Sequence, residues 1–180
     1  MYGLVNKAIE EMAIKVGGTD VWSAIKLKAG VDNPTFISMQ VYPDELTYKL
    51  VDSASEIFGI PADELLRQFG KHWILFTAKE GYGDLLKISG NNLQEFIENL
   101  DNMHSRIASA MPELNPPSFE CSQIQETTLQ IRYFSDREGF APMVIGLLEG
   151  LGEMFAVDIK VAHVQTKAAK GFDTFEIEYL

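Results

Sequence analysis

The chain has 180 residues, 46% of them hydrophobic, and a formal net charge of −11 from 26 acidic against 15 basic residues. That supports a compact core of single-domain size, and the acidic surface argues against nucleic acid or a membrane as partner. Cys121 is the only cysteine, so neither an internal disulfide nor a thiolate metal cluster can form.

Leu4, Val5, Ala8, Ile9 and Met12 recur at helical spacing as far as Gly17-Gly18, and Thr19-Asp20 then caps a short helix through Ala29. Pro43 and Pro61 open helices over about 43–58 and 61–78, and Gly59, Gly81 and Gly90 mark the gaps between helices. The longest helix is expected from about Asn92 to Met111, capped by Asn91 or Asn92. No apolar run reaches the roughly 18–20 residues of a membrane span. Met1-Tyr2-Gly3-Leu4 has no basic region or apolar run of a secretory signal. A cytoplasmic location is expected.

After Asn115-Pro116-Pro117 the period changes. Residues 118–124 and 127–135 alternate as strands, with Gln and Thr on one side and Leu, Ile and Tyr on the other. A helix follows at about 141–154. Two more strands are expected, one around Val157, Ile159 and Val161, the other around Phe172, Phe175, Ile177 and Tyr179. Helices followed by an antiparallel sheet of about four strands with an inserted helix define an α+β fold.

Leu93, Ile97, Leu100, His104, Ile107 and Met111 step by three or four and form one apolar stripe, which turns the imidazole of His104 toward the core. Two readings stand. His104 is a core histidine bonded to a backbone carbonyl, the better reading on spacing alone, or it is the axial ligand of a haem iron. His163 has the same ambiguity on its strand, and His72, flanked by Leu65, Phe69, Trp73 and Phe76 on a helix, can edge into the core. No histidine, acidic or cysteine set has the spacing of a non-haem metal site or a nucleophile and its base.

Tyr133, Ser135 and Arg137 alternate at the end of the second strand, about 6–7 Å apart. Two hydroxyls and a guanidinium on one line can receive two carboxylates of one ligand, such as the propionates of haem. An ordinary solvated strand face would carry the same pattern.

Several further segments occur in order: Met1-Tyr2-Gly3-Leu4-Val5-Asn6-Lys7-Ala8-Ile9, Glu80-Gly81-Tyr82-Gly83-Asp84, Asn99-Leu100-Asp101-Asn102-Met103-His104, Pro116-Pro117-Ser118-Phe119-Glu120-Cys121, and Ala141-Pro142-Met143-Val144-Ile145-Gly146. With the Y-x-S-x-R triplet between the last two, the whole chain resembles the haem-nitric oxide/oxygen-binding family, which includes the sensor domain of soluble guanylate cyclase. The resemblance implies a single domain over 1–180, with a helical part over about 1–60, a haem-bearing part over about 61–180, and haem b buried between the halves. It makes His104 the iron ligand and Tyr133, Ser135 and Arg137 the propionate ligands. Pro117 becomes the residue that distorts the haem, and Cys121 is structural or redox-sensitive.

Oxygen-binding members place a tyrosine over the distal side, from the helix after the Y-x-S-x-R strand. Here Glu138-Gly139-Phe140-Ala141-Pro142-Met143-Val144 contains none. Ile9, Trp73, Met143 and Leu147 would form an apolar distal wall whose only donor is the indole. The expectation is a non-enzymatic sensor of nitric oxide that also takes carbon monoxide and excludes oxygen. It would signal by rupture of the iron–His104 bond to a separate histidine kinase or cyclic-nucleotide enzyme, a guanylate or diguanylate cyclase. An oxygen-binding haem sensor or a haem redox enzyme is the alternative, and a haem-free interaction module is a third.

Overall fold

A computed structural model describes residues 1–33, 35–110, 113, 115–122 and 124–180, leaving aside the side chains of 77–82. Met111 and Gln123, placed above in a helix and a strand, lie outside the described residues, as do the side chains of Glu80, Gly81 and Tyr82. The chain divides into two compact units, Met1–Phe69 and Gly70–Leu180, where the sequence places a division at about residue 60.

The first unit is built on α1 (Gly3–Ala29), α2 (Asp44–Phe58) and the first part of α3 (Ala62–His72). The expected interruption of α1 occurs at Gly18, whose φ of 82° and ψ of 177° break the helical path in a region open mainly to glycine. Pro43 stands at the N-cap of α2 instead of inside its first turn. Ile25 and Leu50 are fully buried. Asn6, also fully buried, accepts a 2.7 Å bond from the Thr47 hydroxyl between α1 and α2. The rings of Trp22, Phe36 and Tyr42 meet edge-on.

In the second unit α3 passes into a π-helical turn, Trp73–Thr77, and then α4, Ala78–Ser89. The helical path expected over 61–78 is present from Ala62 with the π-turn inside it, and it runs on through position 81, where a gap was expected. The predicted helix over 92–111 is two: α5 (Leu93–Glu98) and α6 (Leu100–Ala110). Asn92 caps α5 as expected, its side chain accepting from the Glu95 N–H at 2.9 Å. Asn99, at φ −92° and ψ 1°, interrupts the run. Asparagine readily adopts such a non-helical turn.

Four antiparallel strands follow: β1 (Ser118–Ser122), β2 (Thr128–Phe134), β3 (Ile159–Gln165) and β4 (Asp173–Tyr179), in spatial order β1-β2-β4-β3. The inserted helix α7, Ala141–Met154, and the short α8, Lys167–Lys170, connect β2 to β3 and β3 to β4. Val157 precedes its expected strand, and α8 has no counterpart in the sequence pattern. Leu129, Ile131 and Tyr133 of β2 alternate inward with Phe175 and Ile177 of β4 and pack against Leu93, Phe96 and Ile97 of α5 and Val144, Leu148 and Leu151 of α7. The opposite face is polar: Arg132 meets Glu120 at 3.0 Å and Gln130 meets Glu176 at 2.9 Å, as in an antiparallel sheet covered on one side.

Candidate functional site

His104 lies one turn into α6. Its Nδ1 is 2.9 Å from the Leu100 carbonyl. A carbonyl only accepts, so Nδ1 carries the proton and Nε2 keeps its lone pair. Burial lowers the imidazole pKa, opposed by the bond to Leu100 and by the charge of Asp101. The ring is therefore neutral near neutral pH, the form that binds a metal. The break at Asn99 shifts the expected stripe: Leu93, Ile97 and Leu100 are buried, while His104 and Ile107 are half-buried.

Asp101, three residues before His104, accepts a 3.0 Å bond from the backbone N–H of Phe119 at the start of β1. The Phe119 ring lies 5.0 Å from His104 and 5.4 Å from Tyr133. Half-buried Pro117 is two residues upstream of that ring. Phe119 thus stands between His104 and Tyr133. Spacing alone does not single out Asp101 or Phe119, although the i, i+3 relation of Asp101 to His104 is a usable signal.

The strand alternation proposed for Tyr133, Ser135 and Arg137 reaches only the first of them, because β2 ends at Phe134. Tyr133 is buried at 6% exposure, and Ser135 and Arg137 are half-buried in the following loop. A different device groups these two. The Arg137 N–H donates to Ser135 Oγ at 3.1 Å, and Arg137 Nη1 donates to the Asn115 carbonyl at 2.9 Å. Asn115, at φ 44°, also donates from Nδ2 to Asp136 at 3.0 Å. The loop is thereby tied to the turn before Pro116-Pro117.

Trp73 opens the π-helical turn, half-buried against the core of the second unit. π-Helical turns recur at functional sites. One turn earlier, a methyl group at Gly70 would collide with the Met143 carbonyl and come within 2.8 Å of the Leu147 N–H. The helix that leads to Trp73 and α7 therefore meet backbone to backbone beside Met143 and Leu147, both half-buried. Ile9 belongs to the first unit, where it lines an apolar cavity with Met12, Ala13, Val51, Ala54 and Phe69.

The other histidines have protein partners. His163 Nε2 is 2.9 Å from Asp173, and His72 stacks on Phe76 at 4.7 Å. Among the described residues no group of three or more His, Cys, Asp or Glu is placed to hold a metal ion, and no helix is long and apolar enough to cross a membrane. Burial and the charge of Glu98 raise the Cys121 thiol pKa.

Helices followed by a four-stranded antiparallel sheet covered on one side define an α+β fold. The Haem-NO-binding family model matches residues 2–163, and the chain belongs to that family of haem-binding gas sensors. It is similar to soluble guanylate cyclase gcy-31 of Caenorhabditis elegans, 30% identical over 162 residues that cover 89% of this chain and 23% of that protein. It is also similar to gcy-35 of the same organism, 27% identical over 100% of this chain and 27% of that one. The chain thus spans about a quarter of the length of these relatives. Its fold matches a mutant H-NOX protein from S. oneidensis in the Fe(II) ligation state, with a TM-score of 0.90 and 18% identity over 100% of this chain and 96% of that one. The H-NOX protein from S. oneidensis in the Fe(II)NO ligation state gives 0.89 and 18% over 100% and 99%.

Proposed function

We propose that the chain senses nitric oxide through haem b, takes carbon monoxide as well, and excludes oxygen. The observation that carries this reading is the bond from His104 Nδ1 to the Leu100 carbonyl, which leaves a neutral Nε2 for iron. The donor set fits haem: one imidazole for the metal, and Tyr133, Ser135 and Arg137 for two carboxylates. When bound, haem supplies a ferrous iron that can take a diatomic gas. His104 would hold that iron, Tyr133, Ser135 and Arg137 would hold the carboxylates, and Pro117 would contact the macrocycle. Trp73, Met143 and Leu147 would give the gas an apolar wall. Bound oxygen draws partial negative charge to its outer atom and profits from a hydrogen-bond donor, whereas nitric oxide needs far less help, so an apolar wall selects between them.

The signal in this reading is release of His104. Asp101 and Phe119 join α6 to β1, so a change in what holds His104 would reach the sheet through that bond. Such a two-state element is what a partner can read. The partner is a histidine kinase or a cyclic-nucleotide enzyme, supported by the guanylate cyclase relatives. The test is an absorption spectrum of the reduced protein without gas, in air and with nitric oxide. A five-coordinate ferrous spectrum, unchanged in air and converted to a five-coordinate nitrosyl, is expected. A stable oxygen complex would overturn the choice of gas, and no haem signal would overturn the whole reading. His104→Gly should lose haem unless imidazole is added.

A further inference from the structure

We propose that His163, Asp173 and Lys167 form a positioning brace that gives the loop carrying Ser135 and Arg137 a second anchor besides Asn115. The proposal rests on the reading of that loop as the carboxylate clamp. Asp173 is buried at 8% exposure and is the direct cross-strand partner of Tyr133. Its Oδ1 accepts two bonds at 2.9 Å, one from His163 Nε2 and one from the backbone N–H of Lys167. The His163 ring stacks on Phe175 at 4.9 Å and 21°, and Phe175 lies 6.4 Å edge-on from Tyr133. One buried carboxylate therefore fixes the start of α8 relative to β3 and β4. From there Lys167 Nζ reaches Glu138 Oε1 at 2.6 Å, one residue beyond Arg137.

The loop is consequently held by two separate anchors. Asn115 bonds Asp136 and Arg137, and Lys167 bonds Glu138. A loop tied on one side alone would be free to swing the guanidinium, which loses the preorganisation that makes a planar fork effective. His163 and Asp173 act here through Lys167, as positioning residues. A role confined to shaping the β3–β4 connection makes a different prediction, because it leaves residues 136–139 unaffected.

The test uses the whole chain, with haem-loss rate to an acceptor globin and backbone amide exchange as two separate readouts. Lys167→Glu and Glu138→Lys should each speed haem loss by about two- to five-fold, the scale set by an exposed ion pair, and raise exchange at residues 136–139. The double charge swap should return both readouts to near the parent values, which a merely destabilising substitution would not do. Asp173→Ala should raise exchange at 136–139 as well as at 163–173. Failure of the swap to restore the parent values, or exchange changes limited to 163–173, overturns the brace. If the protein takes up no haem, the functional reading fails, while amide exchange still decides the brace.

Discussion

Asp101 Oδ1 accepts the backbone N–H of Phe119 at 3.0 Å, and through this bond the helix that carries His104 is fastened to the first strand of the sheet. Phe119 then sets its ring 5.0 Å from the imidazole. Asp101→Ala leaves that N–H without its charged acceptor and should cost about 1–2 kcal/mol, below the upper range for charge-assisted bonds because the pair is half-buried. Asp101→Asn keeps an acceptor oxygen and should cost less. Urea denaturation of the two variants checks this: equal losses would show that charge, and not the bond to Phe119, stabilises the junction.

Gly70 has no room for a side chain. An added methyl meets the Met143 carbonyl, which belongs to the backbone of α7 and cannot rotate away. Gly70→Ala must push α3 and α7 apart, at a cost of about 1–3 kcal/mol typical of overpacking. The same displacement moves Trp73 relative to Met143 and Leu147. Chemical denaturation together with the indole fluorescence of Trp73, read in a Trp22→Phe background, should register both effects. Unchanged stability would mean that the close approach does not persist in solution.

The elements that follow from periodicity were legible. The 141–154 helix coincides with α7, and inward alternation of Leu129, Ile131 and Tyr133 matches β2. What escaped were local departures from period. Asn99 splits a stripe that looks continuous on spacing, and the π-helical turn at Trp73–Thr77 inserts one residue without any glycine or proline to announce it. Of Tyr133, Ser135 and Arg137 only the first lies on the strand, and the loop bonds that group the last two depend on Asn115, 22 residues before Arg137 in the chain. No local pattern encodes so distant a contact. The Asp173 contact to His163 likewise needs the β3–β4 pairing before it can be seen.

Cys121 should be a slow nucleophile. Burial raises its pKa first and the Glu98 carboxylate second, so at pH 8 its thiolate is scarcer than that of a free cysteine, whose pKa is about 8.5. Its alkylation by iodoacetamide should trail that of a free cysteine at pH 8 and keep rising at more alkaline pH. Glu98→Gln should speed it by removing the repulsive charge. The folded state keeps this proton longer than the unfolded chain does. Its contribution to stability is therefore intact below the ordinary thiol range and declines as pH rises through the raised value. Alkylation as fast as in a free peptide would contradict the burial of this side chain.

Arg137 and Ser135 should separate when each is replaced, because they do different work in the same loop. Ser135 Oγ accepts the Arg137 N–H at 3.1 Å, so Ser135→Ala loosens the turn but leaves the guanidinium in place. Arg137→Met removes the positive charge and also the bond to the Asn115 carbonyl, releasing the turn before Pro117. A charge-assisted bond to a carboxylate is about twice as strong as a neutral one. The loss of Arg137 should therefore accelerate haem release by about ten-fold or more, against about three-fold for Ser135→Ala, where one bond of roughly 0.5–1 kcal/mol is at stake. The decay of the Soret band in the presence of an acceptor globin measures both. Equal rates for the two variants and the parent would remove Arg137 and Ser135 from the clamp and leave His104 and Tyr133 as the assigned haem ligands.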